Sequence, residues 1–451
     1  MDATTYIIIS FFVVLVTLWL TSGKKAKKRL PGPIGLPIVG YIPFMTRKPY
    51  VKLTELSKVY GPVYSVRLGS VNVVIITDYE LMKEAFAKDA FMGRPPNFPI
   101  ELSEDTIKTG ALSGLPWKEQ KRFSVHMLRD LGFGKDENGR THQGRNSRIV
   151  RTHNLDRLLK EVGRLAGSLT WLAFFPSIKR IVDYFNIGNK GRLVRVLREV
   201  TDYCRNEIKK HEETLDPNII RDFVDGYLLE IQKRANDPDS TFKKDVLTDL
   251  SRAFFGAGSE TVRVTVDWLL LVCAAHPEVQ KKILAEIDDV IGRDRFPTWQ
   301  DRPNMPFTEA AITELMRWRT IVPLNLIRYT LQDSELNGYY IPKNSHVLPV
   351  LWAVDNNEKH WGVDVKEYKP ERFLSEDGRK VIKPEYAIPF SVGKRSCPGK
   401  TLAEIEIFQY LVAILQKFEI STPQGKEIDF EGELGLAFQP KRQDLCLKLR
   451  Q

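Results

Sequence analysis

The hydrophobic pattern of this chain changes abruptly near residue 23. Residues 6–20 are almost wholly apolar, and with the threonine and serine residues on either side they approach the ~20 residues that span a bilayer. A dense basic run follows at 24–29, whereas Asp2 is the only charge before the apolar segment. Because basic residues stay on the cytoplasmic side, the pattern predicts a transmembrane anchor at 1–23, a lumenal amino terminus and a cytoplasmic body.

A cleaved signal peptide is the alternative interpretation of the apolar segment. No basic region precedes the segment, no small-x-small cleavage site follows it, and Trp19 lies where an interfacial anchor residue is expected. These features favour the anchor. The basic run leads into prolines at positions 31, 33 and 37, and proline disfavours helix. We therefore predict a basic and proline-rich hinge at 24–37 and a globular body at 38–451.

The patterns in the body predict a mainly α protein with small β-sheets (α+β), in a single large helical domain. The alternating pattern of Val63, Ser65 and Arg67 and the mostly apolar run 71–76 are typical of short strands. Asn337-Gly338 is a hairpin turn signal. Helical patterns dominate elsewhere, and 245–275 predicts one helix of about 30 residues, or ~45 Å. Further amphipathic helices are predicted at 277–291 and 308–319.

Composition is consistent with one large folded unit. The 451 residues contain no low-complexity linker or internal repeat that would divide the body, and 43% hydrophobic and 27% charged residues exclude a disordered chain and allow a sizeable core. The cysteines show no CxxC or paired spacing, which argues against a zinc site or a disulfide framework and favours a reducing compartment. They are Cys204, Cys273, Cys397 and Cys446.

The net charge of +10 raises the question of nucleic-acid binding. The only dense basic run, however, lies directly behind the apolar segment, where it sets membrane topology. We therefore expect a lipid bilayer as a partner and no nucleic acid.

One cysteine lies in a setting that suits a metal ligand. Cys397 precedes the helical sequence 401–418, and the positive end of a helix favours the thiolate form that binds metal. A lone cysteine before a helix is also typical of a buried structural residue. Nearby, Gly393 permits a tight turn and Gly399 permits close approach of a flat cofactor.

The spacing of the whole segment carries more information. Arg395 can neutralise a carboxylate beside the thiolate, and Phe390 can cover the sulfur. Segment 390–399 resembles the haem-binding signature Phe-x-x-Gly-x-Arg-x-Cys-x-Gly of the cytochrome P450 family at every fixed position. The resemblance implies the P450 fold, haem b (iron protoporphyrin IX) as cofactor, and Cys397 as the axial thiolate ligand of the iron.

Two further motifs strengthen the resemblance. Glu314 and Arg317 share one helix face, a spacing that alone is typical of a surface ion pair. They are followed by the Pro-Glu-Arg-Phe motif that contains Arg372. In the family, these three residues form a buried polar network.

Within the long predicted helix, Ala257-Gly258-Ser259-Glu260-Thr261 interrupts an apolar stretch. Glycine costs roughly 1 kcal/mol in a helix interior, so the glycine indicates a kink, a close helix crossing or a functional opening. The resemblance implies the family's oxygen-activation site, in which Glu260 and Thr261 relay protons.

Other positions match the family at contacts to the haem propionates. Trp117 opens the family's Trp-x-x-x-Arg pattern, but Lys121 stands where arginine is usual, so the contact weakens or passes to Arg122. Arg94 and Arg328 also match. The positions that line the substrate pocket in relatives are all apolar: Phe98, Leu102, Ala257, Val322, Leu326 and Leu436.

The resemblance covers the chain from the anchor to the carboxyl terminus and is most similar to the family 2 branch of animal microsomal enzymes. Near 151–155 the chain lacks about 45 residues, enough for the two helices that relatives carry there. A natural deletion, a skipped exon and a faulty gene model are the alternatives. Folding and haem retention depend on which applies.

The resemblance implies a monooxygenase that inserts one oxygen atom of O2 into a lipophilic substrate. Electrons come from NADPH through NADPH-cytochrome P450 reductase, with cytochrome b5 as a further partner. The expected location is the endoplasmic reticulum membrane, single-pass, with the catalytic domain on the cytoplasmic side. A haem-thiolate isomerase or dehydratase that needs no O2 is one alternative, and the Glu260-Thr261 pair argues against it. A truncated, haem-poor membrane protein is the other.

Overall fold

The computed structural model of the chain describes residues 30–95, 114–131, 134–135, 141–142, 157–158, 161–163, 165, 170–185 and 187–450. The anchor at 1–23 and the positions Phe98 and Leu102 lie outside the described residues, as does most of the region around 151–155. No helix among the described residues is long and apolar enough to cross a membrane.

Helices account for most of the described body. They include α1 (Pro49–Tyr60), α2 (Tyr79–Ala87), α3 (Gly114–Asp130), α4 (Pro176–Phe185), α5 (Lys190–Glu213), α6 (Phe223–Lys233), α7 (Lys244–Ala275), α8 (Pro277–Val290), α9 (Pro306–Arg319), α10 (Leu351–Asp355), α11 (Glu358–Trp361) and α12 (Lys400–Lys417). Short 3-10 helices are found at Ile42–Phe44, Asp89–Phe91, Thr170–Phe174, Trp299–Asn304 and Pro370–Phe373.

The strands are short. They are β1 (Val63–Leu68), β2 (Val71–Ile76), β3 (Gly134–Lys135), β4 (Thr141–His142), β5 (Arg328–Tyr329), β6 (Ser334–Leu336), β7 (Tyr339–Ile341), β8 (His346–Pro349), β9 (Phe418–Ser421), β10 (Gly432–Leu434), β11 (Phe438–Pro440) and β12 (Cys446–Leu449). The largest sheet among the described residues has the order β1-β2-β8-β5, with β2 and β8 parallel. The prediction of a mainly helical protein with small sheets is confirmed.

The core is built around α7, which has 32 residues and is therefore ~48 Å long at 1.5 Å per residue. Its carboxyl-terminal half is buried against α8, α9 and α12, and the fully buried Trp268 donates a hydrogen bond from its indole to the Phe438 carbonyl on β11. Each large side chain buried in this way contributes about 1.5–3 kcal/mol. The amino-terminal half stays partly exposed, and it carries the candidate site residues.

Local signals in the sequence predicted several boundaries correctly. The helix predicted at 245–275 is α7, and Asn337 and Gly338 connect β6 to β7 with φ of 50° and 72°. Helix α9 begins at Pro306, two residues before its predicted start. The Glu286 carboxylate from α8 explains the difference, because it accepts hydrogen bonds from the Phe307 and Thr308 amides at 2.7 and 2.8 Å.

Candidate haem-thiolate site

The loop that carries Cys397 is closed by backbone hydrogen bonds. The Cys397 amide donates to the Phe390 carbonyl, and the Ser396 amide donates to the Gly393 carbonyl, both at 3.0 Å. Gly393 has φ of 76°, and a Cβ there would lie 2.4 Å from the Phe86 carbonyl oxygen. Only glycine fits this position, because both the backbone conformation and the close approach exclude a side chain.

The electrostatic setting of the Cys397 sulfur differs from the expectation based on the helix end alone. Cys397 lies three residues before α12 and is exposed, yet desolvation by the protein around its sulfur raises the pKa of the thiol. A hydrogen bond from the Gly399 backbone and the charge of Lys121 act in the opposite direction. Binding of a metal cation would shift this balance toward the thiolate.

Buried cations lie near the cysteine loop. Arg94 is 9% exposed and donates to the carbonyls of Leu326 and Ile327, and Arg328 is 1% exposed and donates from Nη2 to the Arg395 carbonyl. The Nε and Nη1 atoms of Arg328 are buried without a hydrogen-bond partner. Among the described residues, no carboxylate forms an ion pair with Arg94 or Arg328.

This burial lowers the pKa of both arginines. Desolvation lowers the pKa of Arg94 to about 10, and it moves the pKa of Arg328 well below its ordinary value, with repulsion from Arg94 and Arg395 adding to the effect. An uncompensated buried cation is unfavourable unless an anion joins it. The pair therefore has the properties of an anion site.

Arg395 and Trp117 form one wall beside these arginines. The Arg395 guanidinium lies 3.8 Å from the centre of the Trp117 ring, and its Nε donates to the Met92 carbonyl at 2.9 Å. Desolvation, with repulsion from Arg94, lowers the pKa of Arg395 to about 9. Trp117 thus holds the planar guanidinium by a cation–π contact.

Lys121 contacts the cysteine loop directly. Its ammonium donates to the carbonyl oxygens of Lys394 and Ser396 at 2.6 and 3.4 Å, so it ties α3 to the cysteine loop. Desolvation lowers the pKa of Lys121. The neighbouring Arg122 is exposed. A flexible ammonium with three donors can satisfy two carbonyls in this way, whereas a planar guanidinium has a fixed fork geometry.

Glu314 and Arg317 are buried, so the surface ion-pair interpretation of their spacing is wrong. Two hydrogen bonds of 2.7 Å join them, and Arg317 also donates to the carbonyls of Asp355, Val365 and Glu367. Arg372 approaches the same carboxylate, with its Nε 3.4 Å from Oε1 of Glu314. Helix α9 and the 3-10 helix Pro370–Phe373 are thereby joined through a polar network inside the core.

Gly258 and Gly399, two of the predicted site positions, face open space. A Cβ on Gly258 in α7, or on Gly399 before α12, would meet no atom within 4 Å. The alternative of a close helix crossing at Gly258 is therefore wrong. Beside Gly258, the Thr261 hydroxyl donates to the Ala257 carbonyl at 2.8 Å, and the Glu260 carboxylate pairs with Arg263.

The predicted site residues offer the groups that a haem needs. Cys397 offers a soft sulfur donor, Gly258 and Gly399 leave space where a side chain would intrude, and Arg94 and Arg328 present buried cations to the propionates. Of the predicted pocket positions, Ala257, Leu326 and Leu436 are exposed and Val322 is half-buried.

Sequence reasoning missed Asp355 and Arg263. Asp355 is fully buried beside Arg317, and desolvation raises the pKa of its carboxyl to about 8. Nothing local distinguishes Asp355 in the sequence, because its neighbours in the fold lie on α9. Arg263 follows Glu260 by three residues, and the same spacing rule that selected Glu314 and Arg317 could have found it.

A basic groove of about 470 Å³ lies beside the cysteine loop. Its cationic lining comes from α3 and from the loop itself: Lys118, Lys121, Arg122, Arg129 and Lys394. Lys118 and Lys394 pair with Asp89 at 3.3 and 2.5 Å, whereas Arg122 and Arg129 are exposed on α3 and can attract an acidic partner.

The thiol loop, the buried cations and the open face of α7 define a haem-thiolate protein. The family model described as Cytochrome P450 matches residues 30–143 and 145–447. Cytochrome P450 2C7 of Rattus norvegicus is 32% identical over 99% of both chains. Cytochrome P450 18a1 of Drosophila melanogaster is 31% identical, with 97% of this chain and 90% of that protein covered, and cytochrome P450 2L1 of Panulirus argus is also 31% identical, with 90% and 92% covered.

The chain belongs to the cytochrome P450 family. It is therefore a haem-thiolate monooxygenase, an oxidoreductase that incorporates molecular oxygen, and it acts with a redox partner on a lipophilic substrate.

Proposed function

We propose that this protein is a membrane-anchored monooxygenase of the endoplasmic reticulum that receives NADPH electrons through cytochrome P450 reductase. The Cys397 sulfur would hold the haem iron, and Glu260 and Thr261 would deliver protons. The observation that carries the proposal is the pairing of a cysteine loop with two buried arginines, Arg94 and Arg328, that lack a carboxylate partner among the described residues.

Each residue has a defined task. Haem held by a thiolate supplies the centre at which O2 is bound and cleaved. Arg94 and Arg328 would hold its carboxylates. The Thr261 hydroxyl, whose proton is held by the Ala257 carbonyl, keeps its oxygen lone pairs available to accept a hydrogen bond. For a relay, the Thr261 hydroxyl would turn from the Ala257 carbonyl, donate its own proton onward and take a proton from the adjacent Glu260, so that Thr261 ends as a neutral hydroxyl again.

The first experiment asks whether the reaction is an O2-dependent oxidation. The protein is expressed with haem supplementation, reconstituted with reductase, and assayed for NADPH oxidation with and without O2. We expect a thiolate-type Soret band in the reduced, CO-bound spectrum and O2-dependent NADPH consumption. A thiolate-type band without any O2-dependent consumption would favour the isomerase or dehydratase function. No haem at all would favour the non-enzyme alternative.

The basic groove supports reductase as the electron donor. Arg122 and Arg129 are exposed on α3 and line the groove beside the cysteine loop. An acidic partner docked there would deliver electrons on the side of the axial sulfur. We expect Arg122→Glu and Arg129→Glu to raise the reductase concentration needed for half-maximal reduction at low salt, with the difference shrinking at high salt. Lys209→Glu on α5, outside the groove, is the matched control. An equal effect of all three variants would refute docking at this face.

The membrane assignment is supported by exposed apolar residues near the start of the body. Ile178, Ile181 and Phe185 are exposed on α4, and Ile34 and Ile38 are exposed next to the hinge. The β1–β2 turn contacts both regions, because the Gly69 amide donates to the Val39 carbonyl at 3.1 Å and the Ser70 amide donates to the Phe174 carbonyl at 3.0 Å. We expect the full chain to float with vesicles in a density gradient and to resist carbonate extraction. Release by carbonate would refute the anchor at 1–23.

The substrate is proposed to be a lipophilic compound such as a steroid, terpenoid, fatty acid or xenobiotic. All the pocket positions taken from relatives are apolar, so a strongly charged ligand would find no partner there. A library of such compounds is screened for haem spin-state shifts. Binding confined to charged, hydrophilic compounds would refute this class.

A further inference from the structure

Asn325 and Ser391 share an uncommon backbone conformation. Both are non-glycine residues with positive φ, at 50° and 62°. Each residue ends a turn, because the Asn325 amide donates to the Val322 carbonyl at 3.0 Å and the Ser391 amide donates to the Ile388 carbonyl at 2.8 Å. A side chain makes this backbone region unfavourable, so it persists only where the surroundings hold it. Both turns therefore depend on contacts made by neighbouring groups.

The Asn325 carboxamide connects the two turns. Its Nδ2 donates to the Ser391 hydroxyl oxygen at 2.7 Å, and its Oδ1 accepts from the Leu326 amide at 2.6 Å. Both ends of one amide group are thus used, one on each segment, although the segments lie 66 residues apart in the sequence. Asn325 and Ser391 are half-buried, and partial exclusion of water strengthens a hydrogen bond between them.

The connected segments carry groups with different tasks in the proposed site. On one side, Leu326 is a predicted pocket position, and its carbonyl accepts from Arg94 at 2.8 Å. On the other side, Ser391 follows Phe390, whose carbonyl accepts from the Cys397 amide at 3.0 Å. A path of hydrogen bonds and short stretches of backbone therefore runs from the pocket wall to the cysteine.

We propose that Asn325 is a positioning residue that couples the pocket wall at Leu326 to the cysteine loop through Ser391. The inference rests on the proposed function, in which Cys397 holds the haem iron and Leu326 faces the substrate. A ligand that displaces Leu326 moves the Asn325 side chain with it, because the Leu326 amide is bound to that side chain. The displacement reaches Ser391 and, through the adjacent Phe390 carbonyl, the Cys397 amide.

The first test measures transmission across the bond by amide hydrogen exchange of the holoenzyme. Ser391→Gly removes the hydroxyl and keeps a residue that suits positive φ. Because the hydroxyl reaches the Leu326 amide through Asn325, exchange at residues 324–327 should become roughly 5-fold faster, as expected when one hydrogen bond is lost. Unchanged exchange at 324–327 would overturn the proposal, because two turns that are stabilised separately would not affect each other.

The second test reads the setting of the sulfur directly. The reduced, CO-bound holoenzyme is held at an elevated temperature, and the decay rate of its thiolate-type Soret band is measured. Asn325→Gly, which also suits positive φ, should speed the decay by roughly 5-fold, since the loop loses one hydrogen bond. Asn325→Asp should retain most of the wild-type rate, because a carboxylate can accept from both the Leu326 amide and the Ser391 hydroxyl. Equal rates in Asn325→Gly and the wild type would refute the coupling.

The double variant Asn325→Gly/Ser391→Gly separates one shared bond from two independent effects. It should decay no faster than the faster single variant, because both substitutions remove the same bond. Decay accelerations that multiply would contradict the proposal.

Asn344→Gly is the matched control, since it makes the same substitution at another residue with positive φ, at 66°. It should leave the exchange at 324–327 and the decay rate unchanged. An equal acceleration in Asn344→Gly would show that the effect belongs to the added glycine and not to the bond. Failure of the proposed function is recognised separately, because the wild type would then lack the thiolate-type Soret band, whereas the exchange test would still decide whether the two turns are coupled.

Discussion

The Glu314 carboxylate and the Arg317 guanidinium are joined by two hydrogen bonds of 2.7 Å, with side chains 0% and 2% exposed. The Lys369 amide donates to the same carboxylate at 3.0 Å. Burial of this carboxylate is tolerated only because its cation lies beside it, and burial of the cation likewise requires the carboxylate. The pair therefore couples α9 to the segment around Pro370–Phe373.

Glu314→Gln should destabilise the protein by about 3–5 kcal/mol, because it leaves the Arg317 charge buried without its counter-ion. Against a total stability of about 5–15 kcal/mol, this loss should reduce the yield of haem-loaded protein. The measurement is urea unfolding together with haem per polypeptide. Asp202→Asn, in an exposed i, i+3 pair on α5, is the control and should change stability by about 0.5 kcal/mol or less. Equal effects of the two variants would contradict the prediction.

Cys397→Ser should abolish the thiolate-type Soret band of the reduced, CO-bound protein. Serine has the same shape but cannot supply a soft, electron-rich sulfur donor. Cys446→Ser, which changes another exposed cysteine, should leave the band intact. Persistence of the band in Cys397→Ser would show that another residue ligates the iron.

Signals that are local in the sequence predicted the fold well. The apolar run 245–275 and the proline that follows it predicted the ends of α7 to within one residue. Asn337 and Gly338 both have positive φ, as the predicted hairpin turn requires. Features that depend on residues far apart in the sequence were harder to predict. The early start of α9 depends on Glu286 of another helix, and no spacing rule reports that contact.

The same distinction holds for the candidate site. Fixed motifs identified Cys397 and the Glu314–Arg317 pair, because each motif is short. The behaviour of Lys121 could not be predicted from its motif, since its partners are carbonyls on a loop more than 270 residues away. The lack of an ion-pair partner for Arg328 is likewise a property of packing, which sequence spacing does not encode.

Asp355 should make stability fall as pH rises through the neutral range. Burial raises the pKa of its carboxyl to about 8, whereas an unfolded aspartate titrates near ~3.9. The folded state therefore retains a proton that the unfolded state loses. The resulting stabilisation is complete below pH ~3.9. Between that pH and about 8 the free energy of unfolding falls by up to ~1.4 kcal/mol per pH unit, and above about 8 the fall ends.

Asp355→Asn tests this linkage, because asparagine is uncharged and can still accept the hydrogen bond that the Thr320 hydroxyl donates at 2.8 Å. Relative to the wild type, the variant should be more stable at pH 8 than at pH 5, as measured by urea midpoints. Glu358→Gln, at the start of α11, is the control and should leave the pH dependence unchanged. Parallel curves for Asp355→Asn and the wild type would show that the carboxyl is ionised in the folded protein.

Thr261→Ala should leave haem binding and reduction intact but lower the product formed per NADPH consumed. The substitution removes the hydroxyl beside Glu260 without affecting the helix, since the hydroxyl donates only to the Ala257 carbonyl of α7 itself. Thr261→Ser, which keeps the hydroxyl, is the matched control and should retain most of the coupling. Equal coupling in the alanine variant and the wild type would mean that this position only packs.

The last prediction rests on the expectation that the chain lacks about 45 residues near 151–155 relative to its family, a length that accommodates two ordinary helices. Two such helices would cover apolar surface, and each large side chain left exposed costs roughly 1.5–3 kcal/mol. We therefore expect the chain to bind haem less completely and to melt at a lower temperature than a version with a relative's segment inserted. Haem per polypeptide and melting temperature are compared for the two proteins. A scrambled insert of the same length and composition is the control, because it adds chain without an amphipathic pattern. Equal haem content and melting temperature in the native and inserted proteins would show that the short form is a competent fold.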